Sequence, residues 1–234
     1  MSLIAKRMNK TYRVPLLYDG TGGGSLLPPE LQACEYLETD GSAWIRTNLF
    51  FDSSSMNFYA KFDIPNGSSF GVFGARGTNT TDTFSSNIGN NQGCVFDCGR
   101  TQNNRIEVNN AYKNLIYKYE DFTTQIINYN NDELLASQYI IETQRGNIGR
   151  RLCIFACNTG GNISNIKSGL RCRQFYSLNN INMINCYIID NNTFIDNKGI
   201  ECPAGTPGMY DTINNLFYTN DGTGNFTHGP DINI

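Results

Sequence analysis

At 234 residues the chain is sized for one large β domain or two small ones, and a single domain with an appended arm is the expected organisation. Its net charge of −3, with charged residues only 17% of the total, leaves no broad basic surface for a phosphate backbone, which excludes nucleic acid as a partner. No stretch approaches the ~20 consecutive apolar residues of a bilayer span, so no membrane association is expected.

Residues 1–27 read as a docking arm. Lys6, Arg7, Lys10 and Arg13 are interleaved with Tyr12, Leu16 and Leu17, and "GTGGGS" (residues 20–25) follows as a soft link. A basic, partly apolar segment on such a tether is suited to seating on a larger assembly. The same stretch lacks the continuous apolar run and small-residue cleavage pattern of a secretory leader, so synthesis in the cytoplasm without export is expected.

From Pro28 to the end, residues 28–234 read as one domain dominated by period-two alternation. One short helical turn is expected over 29–33, after Pro28-Pro29. "MNFYAKFDI" (56–64) places Phe58, Ala60 and Phe62 on one face, and "FGVFGA" (70–75) is a short apolar strand. The segment 76–93, "RGTNTTDTFSSNIGNNQG", reads as an Asn/Thr-rich loop. "TTQIINYNNDELLAS" (123–137) is strand, Asn-rich turn, strand; "RLCIFACN" (151–158) and "LRCRQFYSL" (170–178) are two further strands, and "NCYIIDNNTFID" (185–196) is another hairpin. Paired asparagines mark many of the turns, because Asn tolerates left-handed backbone angles. Many short strands separated by Asn/Gly turns predict an all-β fold, two antiparallel sheets packed face to face as a jelly-roll β-sandwich.

The eight cysteines read as buried thiols. In "CVFDC" (94–98) and "CIFAC" (153–157) the two cysteines stand four positions apart, ~13 Å along a strand, beyond the reach of a disulfide within either motif. They serve as small hydrophobes alternating with Phe96 and Phe155. That spacing also suits a zinc site poorly, and with His228 as the one histidine neither a metal nor a cofactor is expected.

The closing stretch "GMYDTINNLFYTNDGTGNFTHGP" (208–230) reads as a hairpin whose Asn214-Asn215 pair makes a two-residue type I′ turn, followed by a second reversal at Gly222 and Gly224. Together with "PPELQACEYLETDGSAWIRTN" near the start, this stretch resembles the terminal signatures of a concanavalin A-like lectin/glucanase (laminin-G-like) domain found in bacteriophage virion proteins and gut-bacterial surface proteins. "FGVFGARG" and "IFACNTGGNISNIKSGLRCRQFYSL" are similar to that family's inner strands, and the likeness covers about residues 28–232. Trp44 stands where the family more often has Tyr.

Hydrolases of this fold place paired carboxylates on one strand face. Glu35, Glu38 and Asp40 of "EYLETD" are the nearest approach, and a regular strand would send Glu35 and Glu38 to opposite faces, so no catalytic residue is assigned. Asp211, Asp221 and Asp231 read as turn caps rather than as a calcium loop. Glycan binding on a β-sandwich draws on an aromatic platform with loop Asn and Asp, for which Trp44, Asn79, Asp82, Asn90 and Asn91 are the candidates. For Trp44 a core place in the first strand is the preferred reading. The resemblance and the arm together imply a non-enzymatic virion protein of a phage, a head fibre, capsid decoration or tail fibre. Its arm would dock on capsid or tail proteins, and its lectin-like domain would be displayed, as a homotrimer, for adhesion to host or mucosal glycans. The alternatives are an exported bacterial carbohydrate-binding adhesin and a glycosidase.

Overall fold

The structure is a computed structural model that describes residues 28–52, 56–77, 82–89, 93–99, 104–109, 113–177, 183–190 and 192–232. The arm residues Lys6, Arg7, Lys10, Tyr12, Arg13, Leu16 and Leu17 lie outside the described residues, as do Asn79, Asn90 and Asn91. Among the described residues no helix is long and apolar enough to cross a membrane.

The fold is all-β. In chain order the strands are β1 (Leu31–Ala33), β2 (Leu37–Thr39), β3 (Ile45–Asp52), β4 (Phe58–Asp63), β5 (Phe70–Arg76), β6 (Thr83–Ile88) and β7 (Cys94–Gly99). There follow β8 (Arg105–Val108), β9 (Asn114–Glu120), β10 (Thr123–Asn128), β11 (Glu133–Tyr139), β12 (Asn147–Ile154), β13 (Asn158–Thr159) and β14 (Asn162–Ile163). The chain ends through β15 (Arg171–Ser177), β16 (Met183–Ile189), β17 (Phe194–Ile195), β18 (Glu201–Cys202), β19 (Pro207–Asp211), β20 (Leu216–Tyr218) and β21 (Phe226–His228). The first sheet runs β11-β10-β9-β4-β15-β16-β19-β20, with β1 on β16 and β2 joining β15 to β21. The second runs β14-β13-β5-β6-β7-β8, with β12 joining β3 to β5. Its β13–β5 pair is parallel, the one departure from antiparallel pairing among the described ladders.

Alternation decides which face of each strand is buried. Phe58, Ala60 and Phe62 of β4 point inward as the sequence predicts, while Tyr59, Lys61 and Asp63 point out. The inward side chains of both sheets meet in one aromatic core. Phe73 of β5 lies 5.2 Å from Phe58, 5.8 Å from Phe62, 5.2 Å from Tyr117 and 5.9 Å from Phe175, all on the first sheet. Within its own sheet it also touches Phe84 and Phe96. Most of these pairs are edge-to-face or tilted, the arrangement that ring quadrupoles prefer. Phe73 reaches this position through a bulge in β5 between Gly71 and Phe73. The next residue, Gly74, has φ +120, and a Cβ there would collide with the Phe84 carbonyl, so only glycine fits.

A smaller apolar layer covers the other face of the first sheet. Tyr187 and Ile189 of β16, Tyr210 of β19 and Phe217 of β20 pack with Leu31, Ala33 and Cys202, and Phe194 closes over them. The short β17–β18 hairpin supplies that cover. Successive residues of one strand thus enter different cores, Cys186 the inter-sheet core and Tyr187 the outer layer.

Several local expectations are corrected. Within 76–93, residues 83–88 are strand and not loop: β6 lies between β5 and β7, with Thr83, Phe84, Ser85 and Ser86 buried. Its hydroxyls bond locally, since Arg76 Nε and Asn87 Nδ2 each donate to Ser85 Oγ at 3.2 Å, and Thr83 Oγ1 lies 3.2 Å away. Residues 31–33 form β1 instead of a helical turn. The "CIFAC" stretch leaves the strand after Ile154, where Phe155 adopts φ +70. Phe194–Ile195 pairs with β18 and not with β16. The closing hairpin turns through four residues, Thr212 to Asn215, because Asp211 Oδ1 accepts the amides of Ile213 (3.1 Å) and Asn214 (3.2 Å); only Asn215 of the Asn pair has positive φ.

All eight cysteines are free and buried. Burial pushes the thiol pKa of Cys94 up to about 11 and that of Cys153 up to about 12, and drives Cys98 and Cys186 well above the ordinary thiol range.

Replacing Phe73 by Ala is expected to cost about 3–5 kcal/mol in urea unfolding followed by the fluorescence of Trp44, because the cavity lies where both sheets meet. The exposed Phe50 (49%) replaced by Ala should stay within about 0.5 kcal/mol of the parent. Iodoacetamide at pH 8 should leave the native thiols unmodified, and denaturing, non-reducing conditions should yield eight adducts by intact mass; fewer adducts would reveal disulfides.

Candidate functional site

The two ends of the domain are fastened to each other residue by residue. Strand β2 pairs with β21 through Leu37↔His228, Glu38↔Thr227 and Thr39↔Phe226. Beyond the strands, the Glu35 amide donates to the Pro230 carbonyl (3.0 Å) and the Gly229 amide to the Tyr36 carbonyl (2.9 Å). On the other side Trp44 N–H donates to Asn220 Oδ1 (3.1 Å), Asp221 N–H to the Trp44 carbonyl (2.8 Å) and Arg46 N–H to Asp221 Oδ2 (2.7 Å). Asp40 centres the clasp: its Oδ1 accepts the Ser42 and Ala43 amides and its Oδ2 the Asn225 amide at 2.6 Å. The Asn225 amide first, then those of Ser42 and Ala43, hold the Asp40 carboxyl below its ordinary pKa. A Cβ on Gly224 would strike that carboxylate, so this turn of "NDGTG" requires glycine for close approach.

The clasp pins a charged and aromatic array on the outward face of the first sheet. Arg171 and Arg173 of β15, two positions apart and so on one face of the strand, stand against one ring. The guanidiniums stand over Tyr36 at 4.5 Å for Arg171 and 5.2 Å for Arg173. Arg171 pairs with Glu38 at 2.5 Å, and Arg173 binds Asp63 through Nε and Nη2 at 2.9–3.1 Å and reaches Glu35 at 3.4 Å. Tyr129 donates its hydroxyl to Asp63, and Lys61 lies 4.1 Å over the Tyr129 ring. Hydrogen bonds to these carboxylates raise the pKa of Arg171 and of Arg173, so both stay fully charged. Along the same face Tyr59 stacks on Tyr176, centroids 4.8 Å apart and planes 17° from parallel.

Sequence spacing sends Glu35 and Glu38 to opposite faces, and the structure corrects this. The strand pairing is interrupted between β1 and β2, shifting the alternation by one, so the two carboxylates lie on one side, Glu38 against Arg171 and Glu35 against Arg173. Each of the three acids Glu35, Glu38 and Asp63 thereby has a cationic partner. Chemically the face offers aromatic rings, hydrogen-bond donors and acceptors in fixed positions.

The sequence-derived glycan candidates are not brought together in this array. Trp44 is buried (9% exposed) in the inter-sheet core beside the clasp, and the Arg46 guanidinium lies 5.1 Å over its ring. Asp82 is half-buried at the entry to β6, where its carbonyl accepts the Gly77 amide. Asn79, Asn90 and Asn91 lie outside the described residues. Sequence reading missed Tyr36, Arg171 and Arg173, and its one available signal was the Arg-Cys-Arg alternation of "LRCRQF". Among the described residues no group of three or more His, Cys, Asp or Glu is placed to hold a metal ion.

Comparison of the chain with protein-family models, curated proteins and solved structures finds no match.

Asp40→Asn is expected to lower stability by about 1 kcal/mol at neutral pH, because the Asn225, Ser42 and Ala43 amides lose their charged acceptor. The folded-state pKa of Asp40 lies below its unfolded value, near 3.9. Its ionised form therefore stabilises the fold above about pH 4, and the gap between parent and variant should close as pH falls through the folded pKa. Urea midpoints of both proteins from pH 7 to pH 2.5 measure it; a gap constant with pH would exclude Asp40.

Proposed function

We propose that the chain is a non-enzymatic structural protein of a bacteriophage particle, a head fibre, capsid decoration or tail fibre. In this reading residues 1–27 dock on capsid or tail proteins, and the sandwich, a jelly roll of concanavalin A-like kind, is displayed outward for adhesion to host or mucosal glycans, three copies together. The observation that carries it is the clasp. The opening and closing stretches that resemble the virion-associated lectin-like family are separate in sequence and joined in space as one interlocked unit, through Asp40–Asn225, Trp44–Asn220 and the β2–β21 ladder.

Two further features support the reading. The acids of the outward face are held by arginines, whereas a glycosidase needs a protonated acid of raised pKa opposite a second carboxylate. The eight free thiols accord with assembly inside a reducing cytoplasm and release by lysis, and less well with an exported adhesin.

Deleting residues 1–24 tests the docking role. The shortened protein is expected to keep a β-type circular dichroism spectrum and the parent melting temperature, yet to be missing from purified particles by mass spectrometry. Incorporation at the parent level would remove the arm from the account.

A further inference from the structure

A wide-mouthed surface cavity of about 380 Å³ lies where the β17–β18 hairpin meets the turn that leads into β21. Both walls are fixed before any ligand arrives. In the hairpin, the Asp196 side chain is buried (1% exposed) and accepts the Lys198 and Ile200 amides through Oδ1, each at 2.9 Å, and the Thr219 hydroxyl through Oδ2 at 2.7 Å. Burial raises the Asp196 pKa, but these donors and the Lys198 ammonium outweigh it and leave the carboxyl below its usual value. Lys198 crosses to the opposite wall, donating to the Asn220 carbonyl at 2.9 Å, with Asp196 at 3.5 Å and Asp221 at 3.7 Å. The facing turn is braced by Asn220 Nδ2 donating to the Gly224 carbonyl.

The Lys198 ammonium is thus committed to the scaffold, while exposed Glu201 and Asn225, half-buried Thr206 and exposed Ile200 also line the cavity. Their chemistry narrows the ligand. Two carboxylates, Asp196 and Asp221, flank the one ammonium, and a third, Glu201, lines the cavity, a balance that disfavours an anion. The residues lining the open space combine acceptors (Glu201, Thr206, the Asn225 oxygen) with donors (the Asn225 amide), beside the apolar Ile200, Pro203 and Pro207. Hydroxyl groups donate and accept at once and match such a mixed lining. The volume is at the small end of ligand sites, sized for one sugar ring.

We propose that this cavity is a binding site for a neutral, hydroxyl-rich ligand of monosaccharide size, the terminal sugar of a glycan. The assignment rests on the adhesive reading above and adds the place and the charge of the ligand.

Saturation-transfer NMR on the full chain, with the methyl glycosides of glucose, galactose, mannose and N-acetylglucosamine, and the methyl glycoside of N-acetylneuraminic acid as the anionic control, tests it. At least one neutral glycoside is expected to bind with a millimolar Kd. Glu201→Ala and Asn225→Ala should each weaken it at least five-fold, with the melting temperature unchanged because both side chains are exposed. Full-strength binding in both variants, or tighter binding of the anionic glycoside, overturns the cavity assignment and leaves adhesion standing. Absence of binding to all five glycosides and to an array of longer glycans overturns both.

Discussion

The aromatic contact between the sheets is the constraint on which everything else rests. Neither sheet can bury its apolar face alone, and the rings that fill the gap come from strands far apart in sequence: Phe58 and Phe62 from β4, Phe73 from β5, Phe84 from β6, Phe96 from β7, Tyr117 from β9 and Phe175 from β15. Phe73 touches rings from both layers, so its position fixes the sheets' relative register. Overpacking is avoided by local backbone devices, the β5 bulge and Gly74, which let β5 and β6 approach closely without losing ladder pairing.

A sandwich so filled still has open ends, and the clasp closes one of them. Hydrogen bonds between residues 35–46 and 220–231 close the domain's whole length into a loop, and the entropy of that closure grows only slowly with length. Asp40 serves three amides with one carboxylate, and Asn220 serves both the Trp44 amide and its own turn through the Gly222 amide (2.7 Å). The clasp also brings Tyr36 against β15, since the Gly229 backbone packs on its ring and leaves the other sides for Arg171 and Arg173. Closure of the fold and layout of the outward face are therefore one arrangement.

Much of the fold was legible from alternation alone. Phe58, Ala60 and Phe62 announce the inward face of β4, Cys94, Phe96 and Cys98 that of β7, and the Asn130-Asn131 pair marks the turn between β10 and β11. What failed was reading composition as conformation. Thr83 to Ile88 looks like a loop because its hydroxyls can bond the local backbone, yet with Arg76 and Asn87 to serve Ser85 it becomes an interior strand. The outward array was illegible for a different reason. Arg171 meets Glu38 across 133 positions and Arg173 meets Asp63 across 110, and no local pattern encodes such pairings. The phase break between β1 and β2 hid the shared side of Glu35 and Glu38 in the same way.

The placement of charge separates the two surfaces a ligand could meet. On the outward sheet face the ionic groups are matched with one another, and half-exposed pairs of this kind contribute little stability each, about 0–1 kcal/mol. Their effect is positional: a guanidinium held bidentate by Asp63 and laid on Tyr36 cannot swing toward a ligand without breaking both contacts. A ligand there would have to compete with intramolecular partners already in place. At the hairpin cavity the order is reversed, because Asp196 and Lys198 are spent on holding the walls while Glu201 and Asn225 face the opening at its margin. A sugar bound there, as proposed, would displace water instead of breaking an ion pair, and walls already braced by hydrogen bonds would lower the ordering cost of holding a small ligand.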